Sequence, residues 1–330
     1  MAVLRKQKLL DIILSSIRVC GWDVLLLSTH ENHPFHLSVF KGDTRLLLRI
    51  YVWNLTHGGY PRDPNEFRIQ ITGVRALTID DAAQTLLLGW SSEDGVFAGF
   101  DAVKHLHPGS SPSIQIKRPA LEKAKLEGFS TQPRFNDEIA VAFRPDFFIP
   151  YVLGAEQLHH TKGATVESQV LEKAIVADVV ENDFRDLPSK ERREVIQTVM
   201  RKIRDARFRT NVLRAYSHRC CICGLQLDLL DAAHIIPVEH ERGTDETKNG
   251  LSLCALHHRA FDHALIAVKS DYTVACSEKS FGQLRTIGWD GGETEFRTAL
   301  RDQILLPPKR EIYPDPDYLR FGQELRLWAS

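Results

Sequence analysis

Two short ligand pairs constrain this chain more than any other feature. Cys220 and Cys223 form a C-x-x-C pair, and 31 residues after Cys223 comes a C-x-x-H pair, Cys254 and His257. Each spacing suits a tight turn, and two such turns can bring three sulfurs and one nitrogen onto a tetrahedral zinc ion. A segment this short is too small to hold itself together, so a zinc staple explains the pattern. Four ligands leave no open position, which makes this Zn²⁺ structural. Cys221 is spare and is expected to pack. Four of the six cysteines fall in one 35-residue window, and a reducing compartment disfavours disulfides, so the pattern indicates a metal.

Between the pairs lies DAAHIIP, with His234 in an apolar stretch, then a polar loop, VEHERGTDETKNG, then a helical pattern, LSLCALHHRAFDHALIAV. His258 and Asp262 stand at i and i+4, so a helix projects them from one face. His257 is rotated about 100° from His258 on a helix, free to face the zinc.

Composition narrows the classes. The 330 residues suffice for two domains, and 43% hydrophobic with 26% charged residues is the make-up of a soluble globular protein. No apolar run approaches the roughly 20 residues of a membrane span. The N-terminal KQKLLDIILSSIRVCGWDVLLLS is interrupted by Asp11, Ser15, Ser16 and Arg18 and lacks a signal-peptide cleavage site. It reads as an amphipathic helix followed by a buried strand, and the cytoplasm is the expected location.

A net charge of −1 means that any nucleic-acid contact must rest on a local patch. Such a patch occurs in the long helical pattern that Ser189 is placed to cap. Between residues 189 and 219 ten cations face only Glu191, Glu194 and Asp205. Arg201, Lys202, Arg204, Arg207, Arg209 and Arg214 are therefore candidates for phosphate contacts.

Residues 23–150 read mostly as strands: DVLLLS, FHLSVF, RLLLRIYVW, EFRIQITGV, QTLLLGW, GVFAGFD, SIQI and EIAVAF, separated by turn signals, with ALEKAKLEG as a helix. The expected class is α+β. Residues 1–152 form a mixed α/β domain with a curved sheet, 153–188 a linker with a short helix in VLEKAIVADVVEN, and 189–330 a second domain.

The series C-x-x-C, A-A-H-I-x-P, N-G-L-x-L-C-x-x-H-H, F-D resembles the HNH endonucleases, over roughly residues 190–325. FRTNVLRAYSHRCCICG and LPPKREIYPDPDYL are similar to the lead-in and tail of HNH restriction enzymes. The resemblance implies a zinc-stapled ββα-metal fold and metal-assisted phosphodiester hydrolysis. It makes His234 the general base that activates water, Asn249 the residue that orients its imidazole, and His258 a ligand for a catalytic Mg²⁺ or Mn²⁺. Ala233 stands where many relatives carry an Asp or His metal ligand. Asp262, on the His258 face, is the favoured replacement, with Asp231 as the other.

HNH modules cut with little sequence preference, so residues 1–152 are the expected target-recognition domain for double-stranded DNA. In RIYVWNLTHGGYPRDPNEFRIQ, Arg49, Trp53, Tyr60 and Arg62 offer aromatic and cationic groups for a base and its phosphates. The expected function is that of a restriction-type enzyme, reading a plain sequence or a modified cytosine. The first case calls for a protecting methyltransferase. Two-fold recognition sites call for a homodimer. A defence effector gated by a small ligand and a non-catalytic zinc-stapled DNA-binding protein are the competing classes.

Overall fold

The computed structural model describes residues 3–29, 31–57, 63–107, 112–134, 138–159 and 190–328. It divides into two compact units, Met1–Ala206 and Arg207–Ser330. The expected short helix at 170–182 and the capping Ser189 lie outside the described residues.

In the first unit, α1 (Lys6–Val19) precedes ten strands: β1 (Asp23–Leu26), β2 (Phe35–Lys41), β3 (Thr44–Asn54), β4 (Thr56–His57), β5 (Glu66–Gln70), β6 (Gln84–Ser91), β7 (Val96–Phe100), β8 (Ser113–Lys117), β9 (Phe129–Pro133) and β10 (Ile139–Phe143). Two helices join them, α2 (Arg118–Glu127) and α3 (Phe148–His159). Seven strands form the main sheet in the order β1-β2-β3-β6-β7-β10-β9, and β4-β5-β8 form a small second one. Only β3 and β6 pair in parallel; the other neighbours in the main sheet are antiparallel.

The central strands are apolar on both faces because both are covered. Along β3, Leu48, Ile50 and Val52 enter one core, while Tyr51 and Trp53 enter the other. Successive strand side chains point to opposite faces, so a run such as LLLRIYVW fills two cores at once. Helices α1 and α3 cover the first face through Leu10, Ile13, Ile17, Val152, Ala155 and Leu158. The small sheet and α2 cover the second through Phe67, Ile69, Ile114, Ile116 and Leu121.

Two sequence expectations change here. The strand after α1 is an edge strand rather than a buried one: β1 pairs only with β2, and Leu25 is 51% exposed. Helix α3 continues through position 152, where the first domain was expected to end, because Val152, Ala155 and Leu158 fit the first core.

In the second unit, α4 (Lys190–Ala215) spans the division between the units. It is followed by β11 (Leu230–His234), β12 (Gly250–Cys254), α5 (Ala255–Asp262), β13 (Ile266–Val268), β14 (Val274–Cys276), α6 (Glu278–Thr286), α7 (Glu293–Thr298) and α8 (Pro316–Leu325). The β11–β12 hairpin leads straight into α5, giving a ββα unit in which His234 pairs with Gly250.

Close packing on the main sheet depends on Gly99 in β7. A Cβ there would collide with the Tyr151 ring and hydroxyl, which is buried and hydrogen-bonded to His159 Nε2 at 3.0 Å. Gly99→Ala is therefore expected to destabilise the first unit by about 1–3 kcal/mol. The fall in the denaturant midpoint of its unfolding transition measures this.

Candidate active site and metal centre

The metal cluster is built by two backbone turns. The Cys220 N–H donates to Leu225 O and the Gly224 N–H to Cys220 O, both at 2.8 Å, which curls residues 220–225 into a knuckle. Gly224 lies at φ +82°, a left-handed conformation that suits glycine. The second pair straddles the joint between β12 and α5: Cys254 ends the strand and His257 occupies the first turn of the helix. The Sγ atoms of Cys220, Cys223 and Cys254 and a ring nitrogen of His257 lie within 4.8 Å of one another. His257 Nδ1 faces the sulfurs, 3.2 Å from Cys254 and 3.5 Å from Cys220. Among the described residues this is the one group of three or more such ligands.

Three thiols and an imidazole at this spacing are the donor set of a tetrahedral zinc site. The cluster already favours a thiolate. Hydrogen bonding from Cys254, helped by His257, holds the Cys220 thiol far below its ordinary range, and the same contact pushes Cys254 up. Cys221 faces away, fully buried in the core of this unit, and burial drives its thiol well upward.

His234 ends β11 with its ring fixed from two sides. Phe208 of α4 stacks on it with ring centroids 3.7 Å apart and planes 7° from parallel. Its Nε2 lies 3.2 Å from Asp245 Oδ1, and both side chains remain about one-fifth exposed. Gly250 lies across the hairpin from His234, and a Cβ there would strike Val212 and come within 2.9 Å of Phe208. The glycine of Asn249-Gly250 thus makes room for the aromatic ring that backs the imidazole.

Asn249 does something other than touch that imidazole. Fully buried, it accepts from the Ile236 N–H at 2.9 Å and donates to Ile236 O and Thr244 O, each at 2.8 Å. All three of these contacts go to the backbone of the loop after β11. The side chain that meets the imidazole is that of Asp245, a residue not among those singled out in the sequence.

His258 and Asp262 share a face of α5 as expected, with His258 Nε2 3.4 Å from Asp262 Oδ2. Asp231 is spoken for: Arg209 Nε donates to its Oδ1 at 3.1 Å, and the same guanidinium donates to Leu230 O at 2.6 Å. That ion pair disfavours Asp231 as the replacement ligand.

A second missed residue is Arg326, just beyond α8. It donates to Ile235 O at 2.6 Å and to His234 O at 3.0 Å. Its guanidinium also lies 4.1 Å over the Phe261 ring and 3.7 Å from Asp262 Oδ1. One side chain therefore ties the end of β11 to the His258–Asp262 face of α5. Helix α8 can come so close because position 322 is glycine; a Cβ there would sit 2.8 Å from Ile235 Cγ2 and from Ile235 O.

The candidate DNA contacts fare unevenly. Arg201 and Arg214 are exposed, and Arg204 and Arg207 are half-buried. Arg209 serves β11, as described, and the Lys202 side chain lies outside the described residues, as do Tyr60 and Arg62. Arg49 and Trp53 are corrected. Arg49 is 6% exposed and grips Asp80 with two hydrogen bonds of 3.0 and 2.9 Å, and Trp53 is a core residue whose indole donates to Thr72 O. Both sit in a strand covered on each face, which takes them out of reach of a nucleic acid.

Residues 220–269 match the family model described as HNH endonuclease. This region is an HNH endonuclease domain. HNH endonucleases are metal-dependent as a family, and a domain of this kind implies a DNA substrate. Ahead of the HNH domain, residues 47–152 match a model described as methylase-associated X1. No curated protein matches the chain. Among solved structures, it is similar to one titled "Modification dependent TagI restriction endonuclease", at 17% identity and a TM-score of 0.31, over 83% of this chain and 80% of that one.

The HNH domain gives two expectations. Cys223→Ser should remove one zinc ligand and unfold the second unit, seen as loss of bound zinc together with a lowered melting temperature. Unchanged zinc content and melting would refute the staple. Arg326→Ala should leave zinc in place but let the two halves of the site drift, lowering turnover on DNA by about 100-fold. Steady-state cleavage kinetics alongside zinc analysis check it.

Proposed function

We propose that the protein is a restriction-type DNA endonuclease in which residues 1–152 choose the target and the HNH domain within residues 189–330 cuts it. The observation that carries this reading is the fixed, partly exposed His234 at the end of β11, inside the HNH match. A histidine that only filled a core would not keep an open edge on this hairpin. The methylase-associated match over residues 47–152 supports a link to DNA modification, and with it a methyltransferase that marks or protects the target.

In the proposed reaction His234 takes a proton from the attacking water. Phe208 and Asp245 prevent the imidazole from turning, so the water is met in one orientation. Asn249 clamps the loop that follows the base. His258 and Asp262 are suited to hold a Mg²⁺ or Mn²⁺ ion, since hard divalent ions need few protein ligands when phosphate oxygens and water complete the shell. Such an ion, when bound, stabilises charge on the phosphate and the leaving oxygen. Arg326, at 3.7 Å, is a looser neighbour of Asp262 than Arg209 is of Asp231 at 3.1 Å, which leaves the Asp262 carboxylate the freer of the two to meet a cation. Arg201 and Arg214, exposed on α4, are placed to meet backbone phosphates of double-stranded DNA. The zinc cluster takes no part in the chemistry; it holds α5 against the hairpin. We further propose a homodimer working in the cytoplasm, because short recognition sites are commonly two-fold symmetric.

The test is digestion of unmodified, methylated and hydroxymethylated DNA, side by side with Mg²⁺ and with Mn²⁺. Cleavage of at least one substrate is expected, lost in His234→Ala although DNA binding and melting are preserved. Undiminished cleavage by His234→Ala would overturn the base assignment. Cutting of unmodified DNA would point to a protecting methyltransferase, and cutting confined to modified DNA would remove the need for one.

A further inference from the structure

We infer that Asp245 is the positioning residue that sets the tautomer of His234, leaving Nδ1 as the proton-accepting nitrogen; this rests on reading His234 as the general base. Asp245 Oδ1 lies 3.2 Å from His234 Nε2. A carboxylate only accepts hydrogen bonds, so this contact needs the hydrogen on Nε2, and the lone pair of the neutral ring then sits on Nδ1. Stacking against Phe208 at 3.7 Å blocks one ring face and resists the flip that would exchange the two nitrogens. When Nδ1 accepts the water proton, both nitrogens carry hydrogen, and the resulting imidazolium lies beside the Asp245 carboxylate.

Asp245 is held for this task by a built loop. Gly243 donates its N–H to His240 O at 2.7 Å and packs so closely that a Cβ would collide with Pro237 O. Next to it, Thr244 O accepts from the buried Asn249 side chain at 2.8 Å. Thr244 directly precedes Asp245 in the chain. Asn249 therefore reaches the imidazole through a relay, Asn249 to the Thr244 carbonyl, then Asp245, then His234. The middle residue of the motif orients the base at one remove, and Asp245 makes the final contact.

Asp245→Asn tests the inference in the full zinc-loaded chain. An amide in place of the carboxylate can donate to the ring and so favour the opposite tautomer. Expected is a fall in kcat of roughly 10²–10⁴-fold with KM for DNA little changed. Expected too is a shift of the His234 hydrogen from Nε2 towards Nδ1 in ¹⁵N imidazole spectra. Turnover of Asp245→Asn within about threefold of the unsubstituted protein would overturn the inference. A large loss of turnover with His234 still carrying its hydrogen on Nε2 would overturn it as well. His234→Ala, assayed in parallel, separates the two claims. If it still cuts, the base reading itself has failed; if it is inactive while Asp245→Asn is fully active, only the role of Asp245 falls.

Discussion

The convergence of three sulfurs and one imidazole nitrogen governs the second unit. Cys220 and Cys223 sit on a knuckle, while Cys254 and His257 bracket the point where β12 becomes α5. Drawing these together sets where the helix begins, and that sets its rotation. With His257 turned inward to the sulfurs, His258 must emerge about 100° round the helix, and Asp262 one turn later on the same side. The His258–Asp262 pair is thus positioned by a cluster to which neither residue belongs. The cluster matters at this joint because α5 is only eight residues long, and isolated helices of that length are marginal.

Around the cysteine–histidine cluster, His234 is held by contacts of a different kind. The ring of His234 is fixed by stacking and one hydrogen bond, its carbonyl by Arg326, and the following loop by Asn249. Each acts on a separate degree of freedom: tilt of the ring, rotation about its axis, direction of the strand, and path of the loop. Together these contacts hold the end of β11 in one arrangement.

Much of this domain was legible because its chemistry is local in sequence. The two ligand pairs and the i, i+4 pair announce their geometry through spacing alone. Asp245 and Arg326 gave no such signal. Asp245 stands in a polar loop where any acid reads as solvated, and Arg326 meets His234 across 92 residues of chain. In the first unit the strand pattern located most of the sheet, while Arg49 and Trp53 were misjudged. Their neighbours held a clue: an apolar run eight residues long suits a strand covered on both faces, and an arginine inside it needs a buried partner, here Asp80. Helix α3 hid because Pro150 resembles a stop, although proline is tolerated in a first turn.

The seating of α8 on Ile235, permitted by Gly322, has a consequence for the order of assembly. Arg326 follows His234 by 92 residues, whereas the four cysteine and histidine ligands and both hairpin strands lie within 38 residues, from 220 to 257. The hairpin, the four-ligand cluster and α5 can thus form locally, and the docking of α8 adds a long-range contact to a unit already shaped.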